Sequence, residues 1–509
     1  MISIEVESKV LDFNEADATL NAIKTNKVIV QCHGVFDLLH IGHIRHFNAA
    51  KKLGDLLVVS ITPDRFVNKG PGRPFFPERL RAEAIAALDS VDYVFINESP
   101  TAVEAIAIVK PNLYVKGSEY KVSENDITGK ILDEESAVKL VGGKIAFTDD
   151  ITFSSSNLIN KYFPSFSDEV TEYLKGFRSR YRAEDVLKYL IGSKDLSVLV
   201  IGEAIIDEYN FCDAMGKAGK EPVLAVKHVK MERYAGGILA IANHLSNFCR
   251  KVSCITYLGE NGDYESFVRE RMKDNVELQI LYKKNSPTLV KRRYIEEYSG
   301  QKLFEIYEMN DEALSNEQNN DILKMIGESA SEYDLVIVAD YGHGLLEQKA
   351  VQLISDSAKF LAVNTQANAG NHGFNCITKY PVADYVCIAH RELELTFRQR
   401  GKAPIDHMHQ LSQDYKNIMV TTGKKGSLTH KRNVSETAEV PAFAYEIKDR
   451  VGAGDSVLAI TSLCMAQGAS AEIVGFIGNV VGAEAVGIMG NERYIEKVPL
   501  MKHIAHLLK

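Results

Sequence analysis

The sequence predicts an α/β chain built as two doubly wound domains. Three observations carry that expectation. Short apolar runs alternate with helical patterns across residues 28–163. The same rhythm resumes at residue 197 and continues to the C-terminal region. A polar stretch, 164–194, with Pro164, Ser165, Ser167 and many charges, separates the two. Strands alternating with helices imply parallel sheets covered on both faces. A length of 509 residues also exceeds what one hydrophobic core normally serves. The expected domains are 1–164 and 196–509, with 165–195 as a linker plus a leading helix.

In the first region VIVQC (28–32) is a short buried strand that ends at a turn. IRHFNAAKKLG (44–54) reads as a helix stopping at Gly54. LLVVSIT (56–62) is the next strand, and ERLRAEAIAALD (78–89) has apolar residues at helical spacing. YVFIN, TAVEAIAIV, LYVKG and KIAFT continue the alternation, and SSSNLINKYF closes it. In the second region SVLVIGEAIIDEY (197–209) restarts the pattern, and TLVKRRYIEEYSGQKLFEIYE reads as antiparallel strands. DLVIVADYG, KFLAVN, DYVCI and NIMVTTGKKG then alternate with helices, and two helices end the chain. Ligands of such sheets bind at the carboxyl ends of the strands.

Composition excludes several classes. A hydrophobic fraction of 45% with 25% charged residues is that of an ordinary globular protein. A net charge of −9 argues against a large nucleic-acid or anionic-membrane surface. The seven cysteines, Cys32, Cys212, Cys249, Cys254, Cys376, Cys387 and Cys464, show no CxxC pair and no zinc spacing. An odd count in a long chain reads as reduced thiols. MISIEVESKVLDF lacks an apolar signal core, and no apolar run is long enough to span a membrane. The expectation is a cytoplasmic protein with neither a nucleic-acid nor a membrane partner.

Two phosphate-handling motifs stand at opposite ends. In GVFDLLHIGH (34–43) a strand feeds a glycine turn and then a helix. His40 and His43 lie three apart, so they are neighbours at a helix start. A helix N-terminus presents unpaired N–H groups to an anion. Two imidazoles beside it can donate to a triphosphate, where charge grows during transfer. In DRVGAGDS (449–456) two glycines precede an apolar helix, a pattern that builds an anion hole from backbone N–H groups. Asp455 at that helix start can take a proton from an attacking hydroxyl. Its ordinary alternative is an N-capping Asp.

GVFDLLHIGH, KKLGD, GRPFFPERLRAEAIAALDSVDYV, PNLYVKGSEY and FSSSNLI occur in the order seen in the cytidylyltransferase-like nucleotidyltransferases, which residues 28–163 resemble. The likeness is greatest to the transferase half of bifunctional heptose enzymes, with Glu119 at the acidic position of the last framework motif. The resemblance implies a Rossmann-like HxGH domain in which His40 and His43 bind the triphosphate. Gly34, Phe36 and Asp37 would shape the nucleotide pocket. Arg73 and Lys116 would contact the two phosphate substrates, and Lys51 would be either a phosphate contact or part of a solvated face. Ser154, Ser155 and Ser156 would place hydroxyls and N–H groups on the nucleotide phosphates, or simply cap a helix. The sugar phosphate would attack directly, with Mg²⁺ neutralising the ATP or CTP.

VLVIGEAIIDEY, YAGG, VIVADYGHG, VTTGKKGS and DRVGAGDS resemble the ribokinase-like (PfkB) sugar kinases, over residues 197–509. EPVLAVK (221–227) matches the lid segment of the heptose kinases, which implies a small β lid. By that resemblance Asp455 is the base, and Gly452, Ala453 and Gly454 form the anion hole. Asp207, Gly236 and Gly237 would contact the sugar, and Thr422, Gly423 and Gly426 would lie near ATP. Three positions depart from the pattern. Ala240 stands where a sugar-binding Asn is expected, with Asn243 one turn along as the candidate replacement. Ala389 replaces the Asn of the NxxE motif but keeps Glu392, a metal contact. Asn364, Thr365 and Gln366 replace Asp-Pro-Lys. The order of the two domains is the reverse of the familiar bifunctional enzymes. The whole implies a kinase and a nucleotidyltransferase acting in succession on a heptose-like sugar, with homodimerisation through the lid. Its alternative is a transferase joined to a degenerate kinase that serves binding or dimerisation.

Overall fold

A computed structural model describes residues 4–67, 73–117, 130–148, 166–432, 436–444 and 446–508. The chain divides into two compact units, Met1–Ser167 with Met501–Lys509, and Asp168–Leu500.

The first unit holds a six-stranded sheet. Its strands are β1 (Val10–Leu11), β2 (Ile29–Gly34), β3 (Leu56–Ile61), β4 (Tyr93–Ile96), β5 (Leu113–Gly117) and β6 (Lys144–Thr148). The order is β1-β4-β3-β2-β5-β6, and every pairing is parallel. Residues 29–32 of β2 and all six of β3 are buried, as central parallel strands must be when helices cover both faces. Alternate residues feed two cores. Val30, Cys32, Leu57 and Val59 pack with Phe47 and Ile85, while Ile29, Leu56 and Val58 pack with Leu20 and Phe95. Each such aliphatic side chain contributes roughly 1.5–3 kcal/mol by leaving water. The order reverses at β2, so the crevice for a ligand opens beyond the carboxyl ends of β2 and β5.

The second unit carries two sheets. The strands are β7 (Ser197–Gly202), β8 (Ala204–Lys217), β9 (Leu224–Gly237), β10 (Lys251–Gly259), β11 (Val276–Lys283), β12 (Val290–Glu296) and β13 (Lys302–Glu308), followed by β14 (Leu335–Asp340), β15 (Leu361–Thr365), β16 (Tyr385–Ala389), β17 (Asn417–Thr421), β18 (Ser427–Lys431) and β19 (Glu436–Val440). The main sheet runs β11-β10-β7-β14-β15-β16-β17-β18-β19, with only the β17–β18 and β18–β19 pairs antiparallel. Four strands, β13-β12-β8-β9, form a separate lid sheet. The run 197–209, read as one element in the sequence, is split at Glu203. The chain leaves the main sheet there and enters the lid. The topological reversal lies at β7 and β14, so Glu203 and Tyr341 stand at the switch point.

Of the stretch expected to be a linker plus a leading helix, residues 168–195 are mostly helical and fall in the second unit. Its helices are Asp168–Arg180 and Ala183–Gly192. Phe177 stacks on Phe476 with ring centroids 4.3 Å apart, and Arg180 pairs with Glu472 at 2.6 Å. Gln467 donates from Nε2 to the carbonyl of Tyr189 at 2.8 Å. All seven cysteines are unpaired. Among the described residues no helix is long and apolar enough to cross a membrane.

Candidate active sites of the two units

In the first unit the site grows from the end of β2. Gly34 ends that strand, and Phe36 follows with φ +49° and its ring folded back. A Cβ at Gly34 would come within 2.9 Å of the Phe36 ring, so only glycine lets the ring settle there. The helix Ile41–Lys51 starts one turn earlier than the sequence pattern suggests, because His40 is its N-cap. The Gly42 N–H donates to His40 Nδ1 at 3.0 Å. An acceptor Nδ1 places the ring proton on Nε2, so His40 is a neutral imidazole. Burial agrees, lowering its pKa below the ordinary histidine value. His40 and His43 stack at 3.9 Å, and the Phe36 ring meets His43 edge-on at 5.3 Å. The two histidines are therefore brought together at a helix N-terminus beside the crevice.

Other expected contacts are placed differently. Asp37 is 3% exposed and accepts from the backbone N–H groups of Phe75 and Phe76 at 2.7 and 3.1 Å. It also pairs with Arg73 at 3.3 Å, which ties the 73–76 loop to the end of β2. Lys51 is not at the crevice. Its ammonium pairs with Asp92 at 2.6 Å and donates to the Asp55 carbonyl at 2.6 Å, and both partners lie at the amino ends of β3 and β4. The phosphate role expected for Lys51 is thus corrected: the helix runs away from the crevice and carries its last turn to the far edge of the sheet. Lys116 on β5 forms a buried ion pair with Glu134. Glu119, Ser154, Ser155 and Ser156 lie outside the described residues.

Two residues of this site carry no sequence signal of their own. His33, on β2, sits between Ser60 (2.9 Å) and Thr62 (3.2 Å). Arg81 lies inside the helix Glu78–Ala86 and is 2% exposed. Its guanidinium donates to the Val35 carbonyl, to Phe76 and Thr62 carbonyls at 2.9 and 3.0 Å, and to Asp64 at 2.6 Å. One side chain thus ties together the loops after β2 and β3 and the 73–76 loop. Arg81→Met should lower the stability of the first unit by about 3 kcal/mol, because it leaves those acceptors buried and unpaired. Thermal unfolding followed by circular dichroism reads this directly.

In the second unit Asp455 lies in the first turn of the helix Ala453–Ala466, whose N-cap is Gly452. Of the leading N–H groups of that helix, Ala453 reaches the Arg450 carbonyl at 3.5 Å and Ser456 bonds to the Gly452 carbonyl at 3.0 Å, while those between, on Gly454 and Asp455, have no intrahelical acceptor, as at an anion-binding helix start. Asp455 is buried, and Oδ1 accepts from Tyr341 Oη at 3.0 Å and from Gln366 Nε2 at 2.8 Å. Burial pushes its pKa up to about 6; the hydrogen bonds from Tyr341 and Gln366 oppose this, Asp207 adds to it, and Lys291 offsets it. Asp449 anchors the preceding loop through Tyr209 (2.5 Å), Lys302 (2.7 Å) and the Gly490 N–H (3.0 Å).

Asp207 stands on the lid strand β8, paired with Arg293. Gly236 faces it from β9, and a Cβ there would lie 2.1 Å from Asp207 Oδ2, so any side chain would displace the carboxylate. Gly237 starts the helix Ile238–Ser246 behind it. Thr422, Gly423 and Gly426 form the tight turn from β17 to β18, closed by the Thr422 N–H and Oγ1, both 2.9 Å from the Gly426 carbonyl. Asn364 donates to the Cys387 carbonyl at 2.7 Å. Glu392 is in the first turn of the helix His390–Phe397, capped by Ala389, and burial raises its pKa.

Asn243 does not replace the asparagine missing at Ala240. Its amide donates to the Arg271 carbonyl at 3.0 Å, and its Oδ1 accepts from the Lys273 N–H at 3.1 Å. Both ends close the turn after the helix Glu265–Arg271, so this candidate is corrected: one turn further along the helix, the amide reaches the 271–273 turn and is used there. Tyr341, Gln366 and Lys291, by contrast, surround Asp455 and received no role from the motifs. Gln366 was visible only as a departure from Asp-Pro-Lys.

The fold and these two sites define a two-unit α/β protein with a candidate phosphate site at a helix N-terminus in each sheet. Two family profiles match it: pfkB family carbohydrate kinase over residues 195–496, and cytidylyltransferase-like over residues 32–161. The chain belongs to the pfkB family of carbohydrate kinases and carries a cytidylyltransferase-like domain before it. Its N-terminal region is 40% identical over 141 residues to bifunctional protein HldE of Nitratiruptor sp., covering 27% of this chain and 30% of that relative. It is 39% identical over 146 residues to bifunctional protein HldE of Trichlorobacter lovleyi, covering 28% of each. The matched stretch thus spans less than a third of these relatives. A solved structure of phosphofructokinase-2 from Escherichia coli in complex with potassium aligns over 62% of this chain and 100% of that one, at 17% identity and a TM-score of 0.49.

Proposed function

We propose that the chain makes a nucleotide-activated sugar in two steps. The second unit transfers the γ-phosphoryl group of ATP to a hydroxyl of a heptose-like sugar or sugar phosphate. The first unit joins the resulting anomeric phosphate to a nucleotide and releases pyrophosphate. One observation carries the reading: each unit has its own charge-stabilising helix start at the switch point of its sheet, with polar side chains suited to a different phosphoryl chemistry.

In the kinase step Asp455 accepts the hydroxyl proton as the oxygen attacks the γ-phosphorus and ADP departs. The N–H groups that follow Gly452 stabilise the charge on the transferred group. Asp207, set against Gly236, orients the sugar. Thr422, Gly423 and Gly426 line the way for ATP. In the transferase step the sugar phosphate oxygen attacks the α-phosphorus of ATP or CTP. His40, through Nε2–H, and His43 donate to the phosphates as pyrophosphate leaves.

Mg²⁺ belongs to the same reading, where it would neutralise phosphate charge. Glu392 fits a cation, since its buried Oε2 has no hydrogen-bond partner among the described residues. Those residues contain no group of three carboxylates, histidines or cysteines able to cage an ion, so nucleotide phosphates and water would supply the other ligands. Homodimerisation through the lid is also part of the proposal. Exposed Met231 on β9 and Phe304 and Ile306 on β13 support it, and sedimentation equilibrium tests it.

A second reading keeps the transferase and makes the second unit a sugar-binding or dimerisation module. The commitment of Asn243 to the turn at Arg271, beside Ala240, favours it. Two assays on the full chain separate the readings. ADP release is measured across a panel of sugars and sugar phosphates, and pyrophosphate release across nucleotides and sugar 1-phosphates. Turnover in both supports the bifunctional reading. Pyrophosphate release with no ADP release for any sugar that binds supports the second.

A further inference from the structure

We infer that Gln366 and Tyr341 are positioning residues for phosphoryl transfer: together they saturate Oδ1 of Asp455 and turn Oδ2 toward the hydroxyl that is to be phosphorylated. The inference rests on Asp455 being the kinase base. Its geometric ground is that both hydrogen bonds fall on one oxygen, Tyr341 Oη at 3.0 Å and Gln366 Nε2 at 2.8 Å. A carboxylate oxygen has two lone pairs, so two donors fill Oδ1. Among the described residues Oδ2 accepts no hydrogen bond.

Both donors are themselves held. Tyr341 is 3% exposed, and its N–H donates to Glu203 Oε2 at 3.0 Å. The His343 N–H donates to the other oxygen of Glu203, also at 3.0 Å. Asn368 and Asn371 donate to the Tyr341 carbonyl at 2.9 and 2.8 Å. The Gln366 N–H donates to the Asp340 carbonyl at 2.9 Å. The loops after β14 and β15 are thus locked at the switch point, and the two donors reach Asp455 from a rigid frame.

The chemistry of the donors matters as much as their place. Both are neutral. A lysine at 366, as in the Asp-Pro-Lys pattern, would put a cation against the base and hold its proton affinity down. Gln366 fixes the carboxylate without that charge. The charged and titratable groups facing Asp455 from the surrounding elements are Asp207 on β8, Lys291 on β12, Tyr341 after β14 and Cys387 on β16. Changing residue 366 therefore alters a balance already set by one carboxylate and one ammonium.

The test is the pH profile of sugar-dependent ADP release by the full chain. Gln366→Ala and Tyr341→Phe each remove a bond to the ionised form. They should lower kcat about tenfold with KM for the sugar nearly unchanged, and move the acid limb to higher pH. Gln366→Lys should move that limb to lower pH. Opposite shifts from Ala and Lys at one position separate positioning from a merely structural role, which would move both alike. If no sugar supports turnover, the ¹³Cγ signal of Asp455, assigned by its loss in Asp455→Asn, reports the same titration. Equal or absent shifts in Gln366→Ala and Gln366→Lys, with both proteins folded by circular dichroism, overturn the inference. A fully active Asp455→Asn would instead remove the base assignment on which it rests.

Discussion

Asp455→Asn should lower ATP-dependent sugar phosphorylation by about 10²–10⁴-fold and leave pyrophosphate release by the transferase unchanged. Asparagine keeps the shape of the side chain, and its Oδ1 can still accept from Tyr341 and Gln366. Only the ability to take a proton is lost. The same change should stabilise the second unit in one pH range. The folded-state pKa of Asp455 is raised to about 6, mainly by burial. Above that pH the native state must keep an ionised carboxylate that the unfolded chain solvates better. The deficit is absent below the ordinary carboxylate value, grows as pH rises toward 6, and is full above it, where it amounts to roughly 3 kcal/mol. The variant should therefore unfold at higher temperature than the parent at pH 8 and at nearly the same temperature at pH 4. Loss of activity together with raised stability at pH 8 marks a residue kept for chemistry rather than for packing. An equally active variant would exclude Asp455 as the base.

The parts of this protein that were legible in the sequence are those written by local physics. Buried parallel strands such as 29–34 and 56–61 announce themselves as short, largely apolar runs between turn residues. Helix starts next to glycines mark the candidate phosphate sites, since backbone N–H groups need no particular side chain. The lid was legible in outline, but the point where the chain changes sheets was not. Gly202 and Glu203 break the apolar run for two residues only, too briefly to mark a change of sheet. The two-residue strand β1 carries no periodicity at all. Charge dominates 168–192, which reads in the sequence as a linker plus one leading helix; two helices form there, and Val170, Leu174 and Phe177 stand at helical spacing on one buried face.

Side-chain partners were legible only where they lie within one motif. His40 and His43 meet because a helix start places them together. Lys51 follows the same motif by one helix length, and that length carries it to the opposite edge of the sheet. Asn243 is one turn from Ala240 and points to a different element. Tyr341 and Gln366 are 114 and 89 residues from Asp455 in sequence, and nothing local connects them. They converge because strands β14 and β15 end at the same edge of the main sheet as the Asp455 helix begins. Arg81 shows the same limit in the first unit: its role is set by four acceptors on three separate segments.

His43→Ala should lower pyrophosphate release about 10²–10³-fold and leave sugar-dependent ADP release unchanged. The reasoning starts from His40. That residue caps its helix through Nδ1, so its replacement would cost about 1 kcal/mol of helix stability besides any loss of catalysis. His43 carries no cap, and its substitution is the cleaner probe. In the native chain its ring is stacked 3.9 Å from His40 and bounded by Phe36 at 5.3 Å, an arrangement that limits its rotation. A donor fixed in this way loses little entropy when charge develops on the departing pyrophosphate, and its loss should fall on kcat more than on KM for the nucleotide. His43→Asn, which keeps a donor but not the ring, should recover part of the rate. The kinase readout serves as the internal control, because Asp455 and its donors all lie within the second unit. Loss of both activities in a folded His43→Ala protein would mean that the two sites do not act independently. An unchanged pyrophosphate rate would remove the histidine pair from the transfer step.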